Sequence, residues 1–133
     1  EIQEIHHKLA GAVPVEYHHT PQPEDSDALM NQLKRHSLVM NATGLGKDAA
    51  GSPITDAGRF PEQGFAWDFN YRGNLVFLDQ ARSQAQARQL TIEDGWVYFL
   101  HGWTRVVAEV FDVDIPVSGP RFEEISRLAR EAR

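Results

Sequence analysis

The chain of 133 residues carries a formal net charge of -6, with an isoelectric point near 5.4 and no run of Lys and Arg, so a nucleic-acid partner is not expected. It has no cysteine, which excludes disulfides and thiolate chemistry and is compatible with a reducing compartment. No apolar segment approaches the roughly 20 residues that span a bilayer, so we expect a soluble, cytoplasmic protein without a membrane partner.

The amino-terminal third alternates between helical and extended patterns. Apolar residues spaced three and four apart predict an amphipathic helix over Glu1–Leu9, and period-two alternation predicts a strand over Val13–His19. Asp25 or Ser26 is a candidate N-cap for a helix over Asp27–His36. Because the sequence begins inside a helix and without Met, we expect it to be a piece of a longer chain.

The run Leu38–Ala42 is short and apolar and stops in a polar, glycine-punctuated turn. Such a run predicts a buried parallel strand covered by helices on both faces. At its end Asn41 and Thr43 supply hydrogen-bonding side chains, while Gly44 and Gly46 allow close backbone approach. Ligands of open α/β sheets bind beyond the carboxyl ends of the strands, although this turn is also explained as a plain strand-to-loop transition.

The rest of the chain predicts a long loop, two strands and three helices. Residues 46–64 are rich in Gly, Pro, Asp and Ser, which indicates a surface loop. Strands are predicted over Phe65–Phe69 and Thr91–Ile92, and Asn74 is a candidate N-cap. The apolar positions that predict the helices are Leu75, Leu78, Ala81 and Ala85, then Trp96, Phe99, Leu100, Trp103, Val106, Val107 and Val110, then Phe122, Ile125, Leu128 and Ala129.

Helices between strands indicate an α/β fold with a mainly parallel sheet. The unusual residues then lie at three strand ends, in Asn41–Gly44, Asp68–Tyr71 and Asp94–Gly95. A parallel sheet would bring these ends to one crevice. Asp68 would orient a ligand there, or it would accept hydrogen bonds from neighbouring loop N–H groups; both interpretations stay open.

The order and spacing of these motifs resemble the C-terminal half of the shikimate/quinate 5-dehydrogenase family over Leu38–Val110. That family has an Asn-Ala-Thr strand end, an Asp-x-x-Tyr strand end and an Asp-Gly that opens a long helix. The resemblance implies a Rossmann-like three-layer domain that is incomplete, lacking the substrate domain and the Gly-rich first strand-turn-helix. Residues 1–118 would then form a partial NAD(P)-binding domain, and residues 119–133 a helix that packs on it or on the missing substrate domain.

The resemblance also implies site residues for a nicotinamide cofactor, NADP or NAD, and for a cyclohexene-carboxylate substrate. Tyr71 would lie near the substrate. The residues expected to contact the cofactor are Asn41, Ala42, Thr43, Phe69 and Gly95. The family reaction is the reversible reduction of 3-dehydroshikimate to shikimate, and its catalytic Lys and Asp belong to the separate N-terminal domain. We therefore expect the 133 residues alone to be inactive.

Departures from the family pattern fall on the substrate side. Gly102 stands where the family usually has a Gln, and Tyr98 and Phe99 replace Met-Leu. These changes favour a related cyclic hydroxy acid as substrate, or a lost activity. His101 is either a substitute polar ligand or a histidine on the helix flank. Trp96 and Trp103 would stack on a ligand or, more simply, form core or interdomain contacts.

A different class of function is a non-catalytic module that retains the scaffold to bind a small molecule or to regulate. The substrate-side departures favour this alternative, whereas the retained Asn41, Thr43, Tyr71 and Gly95 favour the dehydrogenase. A homodimer is left open. No metal site is predicted, because the adjacent histidine pairs, His6 with His7 and His18 with His19, point in different directions on a helix or a strand.

Overall fold

The computed structural model describes residues 2–8 and 14–132, apart from the side chains of Ile2 and His7. The helices are α1 (Ile2–Lys8), α2 (Pro23–Met30), α3 (Val76–Arg88), α4 (Trp96–Phe111) and α5 (Pro120–Glu131), and the strands are β1 (Leu38–Asn41), β2 (Phe65–Asp68) and β3 (Thr91–Glu93). The strands form one parallel sheet in the order β1-β2-β3. The predicted α/β class with a parallel sheet is confirmed, and the architecture is that of an incomplete Rossmann-like three-layer domain.

One face of the sheet packs on α3. Val39, Ala66 and Ile92 are register partners across the three strands, and all three join the hydrophobic core. Because side chains alternate between the faces of a strand, these partners share one face. The core residues with the least exposure are Phe60, Ala66, Phe77, Leu78 and Ala81. Phe60 and Phe77 meet edge to face, with ring centroids 5.4 Å apart.

The opposite face is largely open at β1. Leu38 is 47% exposed and Met40 is 42% exposed. The prediction that helices cover both faces of this strand is therefore wrong, because both side chains stay more than two-fifths exposed within residues 2–8 and 14–132. Phe65 and Trp67 lie beside them in the register and are half-buried. In this part of the sheet an apolar run does not imply burial.

The segment between β1 and β2 is a long loop, as predicted, but it does not lie wholly on the surface. Ile54 and Phe60 are buried in the core, where they occupy the side of the sheet that α3 covers. Two glutamines of α3 hold the loop: Gln80 Nε2 donates to the Ile54 carbonyl at 3.2 Å, and Gln84 Nε2 donates to the Gly58 carbonyl at 2.8 Å. The loop thus supplies packing that a crossover helix would otherwise provide.

The predicted strand over Val13–His19 is wrong. Residues 14–20 form no strand, and Val13 lies outside the described residues. Val15 and Tyr17, which gave the alternating pattern, are largely exposed. A strand needs a hydrogen-bonded neighbour, and the sheet of the described residues consists of β1, β2 and β3 alone.

The helix predicted over Asp27–His36 is shifted toward the amino terminus, since α2 runs from Pro23 to Met30. Proline is preorganised for the first helical position, where its missing N–H is not needed. Gln22 is the N-cap rather than Asp25 or Ser26, and its N–H donates to Asp25 Oδ2 at 3.2 Å. The predicted N-cap of α3 is also wrong: Leu75, with φ of 47°, precedes the helix, and the Asn74 N–H donates to the Gly46 carbonyl.

The two last helices follow the predicted apolar spacing, but α4 buries little of it. Trp96 and Leu100 are its buried residues, while Trp103 is 57% exposed. α5 begins at Pro120, one residue inside the helix predicted over residues 119–133, and both of its ends contact α4. Phe122 stacks on His101 with centroids 4.5 Å apart, and the Arg130 guanidinium lies 6.0 Å from the Trp96 ring. These contacts make α4 and α5 an antiparallel pair.

Candidate functional site at the carboxyl edge of the sheet

The carboxyl ends of all three strands meet at one edge. Asn41 and Asp68 are register partners at the ends of β1 and β2, and β3 ends just before the turn that opens α4. The parallel order thus brings together the three polar strand ends that the sequence singles out. Side-chain hydrogen bonds join the first two ends, and a backbone hydrogen bond from Gly95 joins the third, and these contacts decide what the edge offers to a ligand.

Asn41 is the centre of this contact network. It is 1% exposed, and its Oδ1 accepts hydrogen bonds from the Thr43 N–H at 3.0 Å and from the Thr43 hydroxyl at 2.7 Å. Its Nδ2 donates to Asp68 Oδ2 at 3.1 Å. The amide is buried because both of its ends have protein partners, so it fixes the turn after β1 rather than facing outward.

Asn70 extends the network to α4. Its N–H donates to Asp68 Oδ1 at 2.9 Å, and its Nδ2 donates to the carbonyls of Thr43 and Leu45, each at 3.1 Å. The Gly95 N–H donates to the Asn70 carbonyl at 3.0 Å. One buried asparagine therefore links the ends of β1 and β2 to the start of α4. The sequence places Asn70 within the polar strand end Asp68–Tyr71, and an Asp two residues before it is a signal for the Asx turn that the structure contains.

Burial raises the pKa of the Asp68 carboxyl above its usual value, and the nearby Asp94 charge acts in the same direction. Hydrogen bonds from the Asn70 backbone and from Asn41 oppose the shift because they stabilise the charged form. Of the two interpretations of Asp68, acceptance of hydrogen bonds from loop N–H groups describes its contacts. Oδ1 accepts the loop N–H of Asn70, and Oδ2 accepts the side-chain amide of Asn41 at the end of β1.

Gly95 sits against the end of β2. A Cβ built on this residue would overlap the carbonyl group of Phe69. Its φ of -81° is ordinary, so close packing rather than an unusual backbone angle requires the glycine. The space beside its backbone is thus occupied by Phe69 of the same edge.

Phe69 and Tyr71 contact neighbouring residues of α4. The Phe69 ring stacks on Tyr98, with centroids 4.9 Å apart and planes at 9°. The Tyr71 ring packs on Phe99 at 4.2 Å and on Trp96 at 5.8 Å. Adjacent helical residues point in different directions, so the two aromatic contacts lie on different sides of α4.

The six residues implied by the resemblance therefore share one edge but present different groups to solvent. Ala42 and Thr43 are exposed, Phe69 and Tyr71 are half-buried, and Asn41 and Gly95 are buried. Exposed Ala42 and Thr43 are the ones open to a bound molecule. Gly102, which replaces the family Gln, has open space around its Cα.

A separate groove of about 490 Å³ lies between α4 and the open face of the sheet. Its lining residues are Phe65, Trp67, Glu93, Asp94, Val97, Tyr98 and His101. None of the six implied residues lines it. Sequence analysis missed this groove because its walls come from β2, β3 and α4, whose relative positions the sequence pattern does not specify.

Comparison of the chain with family models, curated proteins and solved structures finds no match. In residues 2–8 and 14–132, no helix is both long and apolar enough to cross a membrane. Within the same residues, no three His, Asp or Glu side chains are grouped to hold a metal ion.

Proposed function

We propose that this chain is the nicotinamide-side part of an NAD(P)-dependent oxidoreductase of the shikimate/quinate dehydrogenase type. The observation that carries the proposal is the network of Asn41, Asp68 and Asn70, which joins the ends of β1 and β2 to the start of α4. It holds the Asn-Ala-Thr, Asp-x-x-Tyr and Asp-Gly motifs at one edge of a parallel sheet. Motifs on separate faces would not support this function.

The edge fits the nicotinamide half of a cofactor in part. Ala42 and Thr43 are exposed, and the small Ala42 side chain leaves room for a ribose beside the strand end. A bound nicotinamide would supply the hydride for a ring carbonyl, while the proton for the carbonyl oxygen needs a positioned acid. The Asp68 carboxyl is fully buried among Asn41 and Asn70, so it does not offer that acid at the surface.

Calorimetric titration with NADP and NAD tests the proposal on this chain and on the complete protein that its gene encodes. The matched variants are Ala42→Leu at the edge and Ala87→Leu, an exposed alanine of α3. Ala42→Leu is expected to weaken nucleotide binding at least about tenfold, because a bulky side chain would occupy the ribose position. Ala87→Leu is expected to leave it unchanged. Failure of the complete protein to bind either nucleotide would refute the proposal.

Turnover is then tested by absorbance of the reduced nicotinamide, with shikimate and quinate as hydride donors. Cofactor reduction by the complete protein supports the dehydrogenase. Nucleotide binding without reduction of either donor would shift the substrate to another cyclic hydroxy acid, with the Gly102 position as the first suspect.

The second candidate is a non-catalytic small-molecule-binding or regulatory module on the same scaffold. The hydrogen bond from the Asn41 amide to the Asp68 carboxylate favours this module, because these two polar groups are already paired with each other. Binding of a metabolite in the absence of any hydride transfer would favour this module.

A further inference from the structure

The groove on the open face of the sheet has aromatic walls held in fixed positions. Trp67 Nε1 donates to the Asp94 carbonyl at 3.1 Å, which orients the indole. The Phe69 ring meets Trp67 edge to face at 4.7 Å, and Tyr98 meets it edge to face at 6.0 Å. Because these contacts already fix the rings, the side chains lose little conformational entropy when a ligand binds.

The charged groups of the groove are acidic. Glu93 and Asp94 follow one another at the end of β3, and neither Lys nor Arg is among the lining residues. Asp94 Oδ1 caps the first turn of α4 by accepting the Trp96 N–H at 2.9 Å. Glu93 is exposed, and its carboxylate makes no hydrogen bond or ion pair within the described part of the chain. The acidic residues favour a cationic ligand over an anionic one, and His101 is the other ionisable residue of the lining.

We propose that this groove binds a small organic cation, a quaternary or protonated amine with an apolar body. The face of an indole or phenol attracts a cation through its quadrupole, and the Glu93 carboxylate adds Coulomb attraction, because Glu93 is the register partner of Trp67 and lies on the same face of the sheet. A volume of about 490 Å³ lies within the range of small-molecule sites. An uncharged apolar molecule would contact the same aromatic rings but would gain no electrostatic attraction from Glu93.

The proposal is independent of the nicotinamide site. The groove lies on the open face of the sheet, whereas Ala42 and Thr43 lie at its carboxyl edge. Phe69 of the edge packs on Trp67 and Tyr98 of the groove, so the variants that separate the two sites are Ala42→Leu and Glu93→Gln, which change neither of these ring contacts. The two ligands can be titrated separately on the same protein.

The test compares choline with 3,3-dimethylbutan-1-ol, which has the same shape but carbon in place of the charged nitrogen. Binding is followed by NMR at the indole N–H of Trp67, assigned by its loss in Trp67→Phe. Choline is expected to bind at least about tenfold more tightly than the alcohol, as cation–π and carboxylate contacts together predict. Equal affinities, or no saturable shift with choline, would overturn the proposal.

Single substitutions test whether choline binding depends on a carboxylate in the groove or only on the net charge of the protein. Glu93→Gln is expected to weaken choline about 3- to 10-fold, and Tyr98→Ala, at a side chain that is 56% exposed, by a similar factor. Asp79→Asn removes the same single charge from α3, which packs on the other face of the sheet, and is expected to have no effect.

A variant that reverses the charge of Glu93 distinguishes loss of cation binding from unfolding of the protein. Glu93→Lys is expected to abolish choline binding while the alcohol shifts the Trp67 signal as before, which shows that the groove is still formed. Choline binding that survives Glu93→Lys would overturn the assignment of the cation to this groove.

Discussion

The two faces of the β-sheet use the same strands but have opposite environments. Toward α3, Ala66 is fully buried against Phe77 and Leu78. Toward the other side, Leu38 and Met40 remain more than two-fifths exposed. Both sets of side chains are apolar and alternate along the same short strands. The hydrophobicity of the side chains therefore does not determine which face of the sheet is buried. Burial depends on which element packs on each face.

This difference also separates two kinds of site. The carboxyl edge is held by buried hydrogen bonds among Asn41, Asp68 and Asn70. The groove on the open face is lined by aromatic rings and by the exposed residue Glu93. Buried polar networks fix geometry, whereas open aromatic surfaces with unpaired charge are free to bind.

The largest expected effect comes from a matched pair of leucines. Leu78→Ala, on α3, is expected to lower the free energy of unfolding by about 2 to 5 kcal/mol, because it leaves a cavity in the packed core. Leu38→Ala, on the open face, is expected to cost less than about 1 kcal/mol. Urea denaturation measures both. Similar costs for the two variants would show that the open face is covered in solution.

A pair of glycines tests the junction of the edge with α4. Gly95→Ala is expected to destabilise by about 1 to 3 kcal/mol, because the new Cβ would overlap the Phe69 carbonyl. Gly102→Ala lies in the middle of α4 with open space around it and is expected to stabilise by about 0.5 to 1 kcal/mol. Thermal unfolding gives both values. An unchanged midpoint in Gly95→Ala would contradict the close packing of this turn.

The polar network gives a pH-dependent prediction at Asp68. The folded protein holds the Asp68 proton more tightly than the unfolded chain, because the pKa is raised. Ionisation therefore removes stability as the pH rises from about 3.9, the usual aspartate pKa, through the raised value. Below that window the stabilisation from the bound proton is fully present.

Asp68→Asn removes this titration and also places an amide N–H₂ against Asn41 Nδ2. The variant is expected to be less stable by about 1 to 3 kcal/mol at the acid end. The difference in free energy of unfolding between the wild-type protein and the variant should become smaller as the pH rises, because only the wild-type protein is destabilised by ionisation of Asp68. Urea denaturation across the pH range measures the gap. A gap that widens with pH would mean that the Asp68 pKa is lowered instead.

The smallest effect is expected at the surface of α3. Arg82 Nη1 lies 2.8 Å from Asp79 Oδ1, and both side chains are more than half exposed. Asp79→Asn is expected to change the free energy of unfolding by less than about 0.5 kcal/mol, because solvent screens such pairs. A larger loss in thermal unfolding would disqualify this variant as the neutral control for the groove.

Local sequence signals predicted the elements that carry strong periodicity or a clear start residue. The strands at Leu38 and Phe65 and the helix after Pro120 are close to their predicted bounds. The strand predicted over Val13–His19 is wrong, since alternation there has no neighbouring strand to pair with. The sequence predicts the start of this helix too late, because Asp25 and Ser26 are favoured N-cap residues whereas the helix begins at Pro23.

The candidate site divides in the same way. The sequence alone determined the α/β class, the parallel order of strand ends and the polar residues at their ends, because these follow from short-range pattern and chain order. Only the tertiary structure decided that Asn41 and Asp68 bind each other, that Phe60 enters the core from a loop, and that Trp67 and Glu93 line one groove. The physical reason is that each of these contacts joins residues far apart in the chain, and their relative positions depend on the packing of whole elements rather than on local preference.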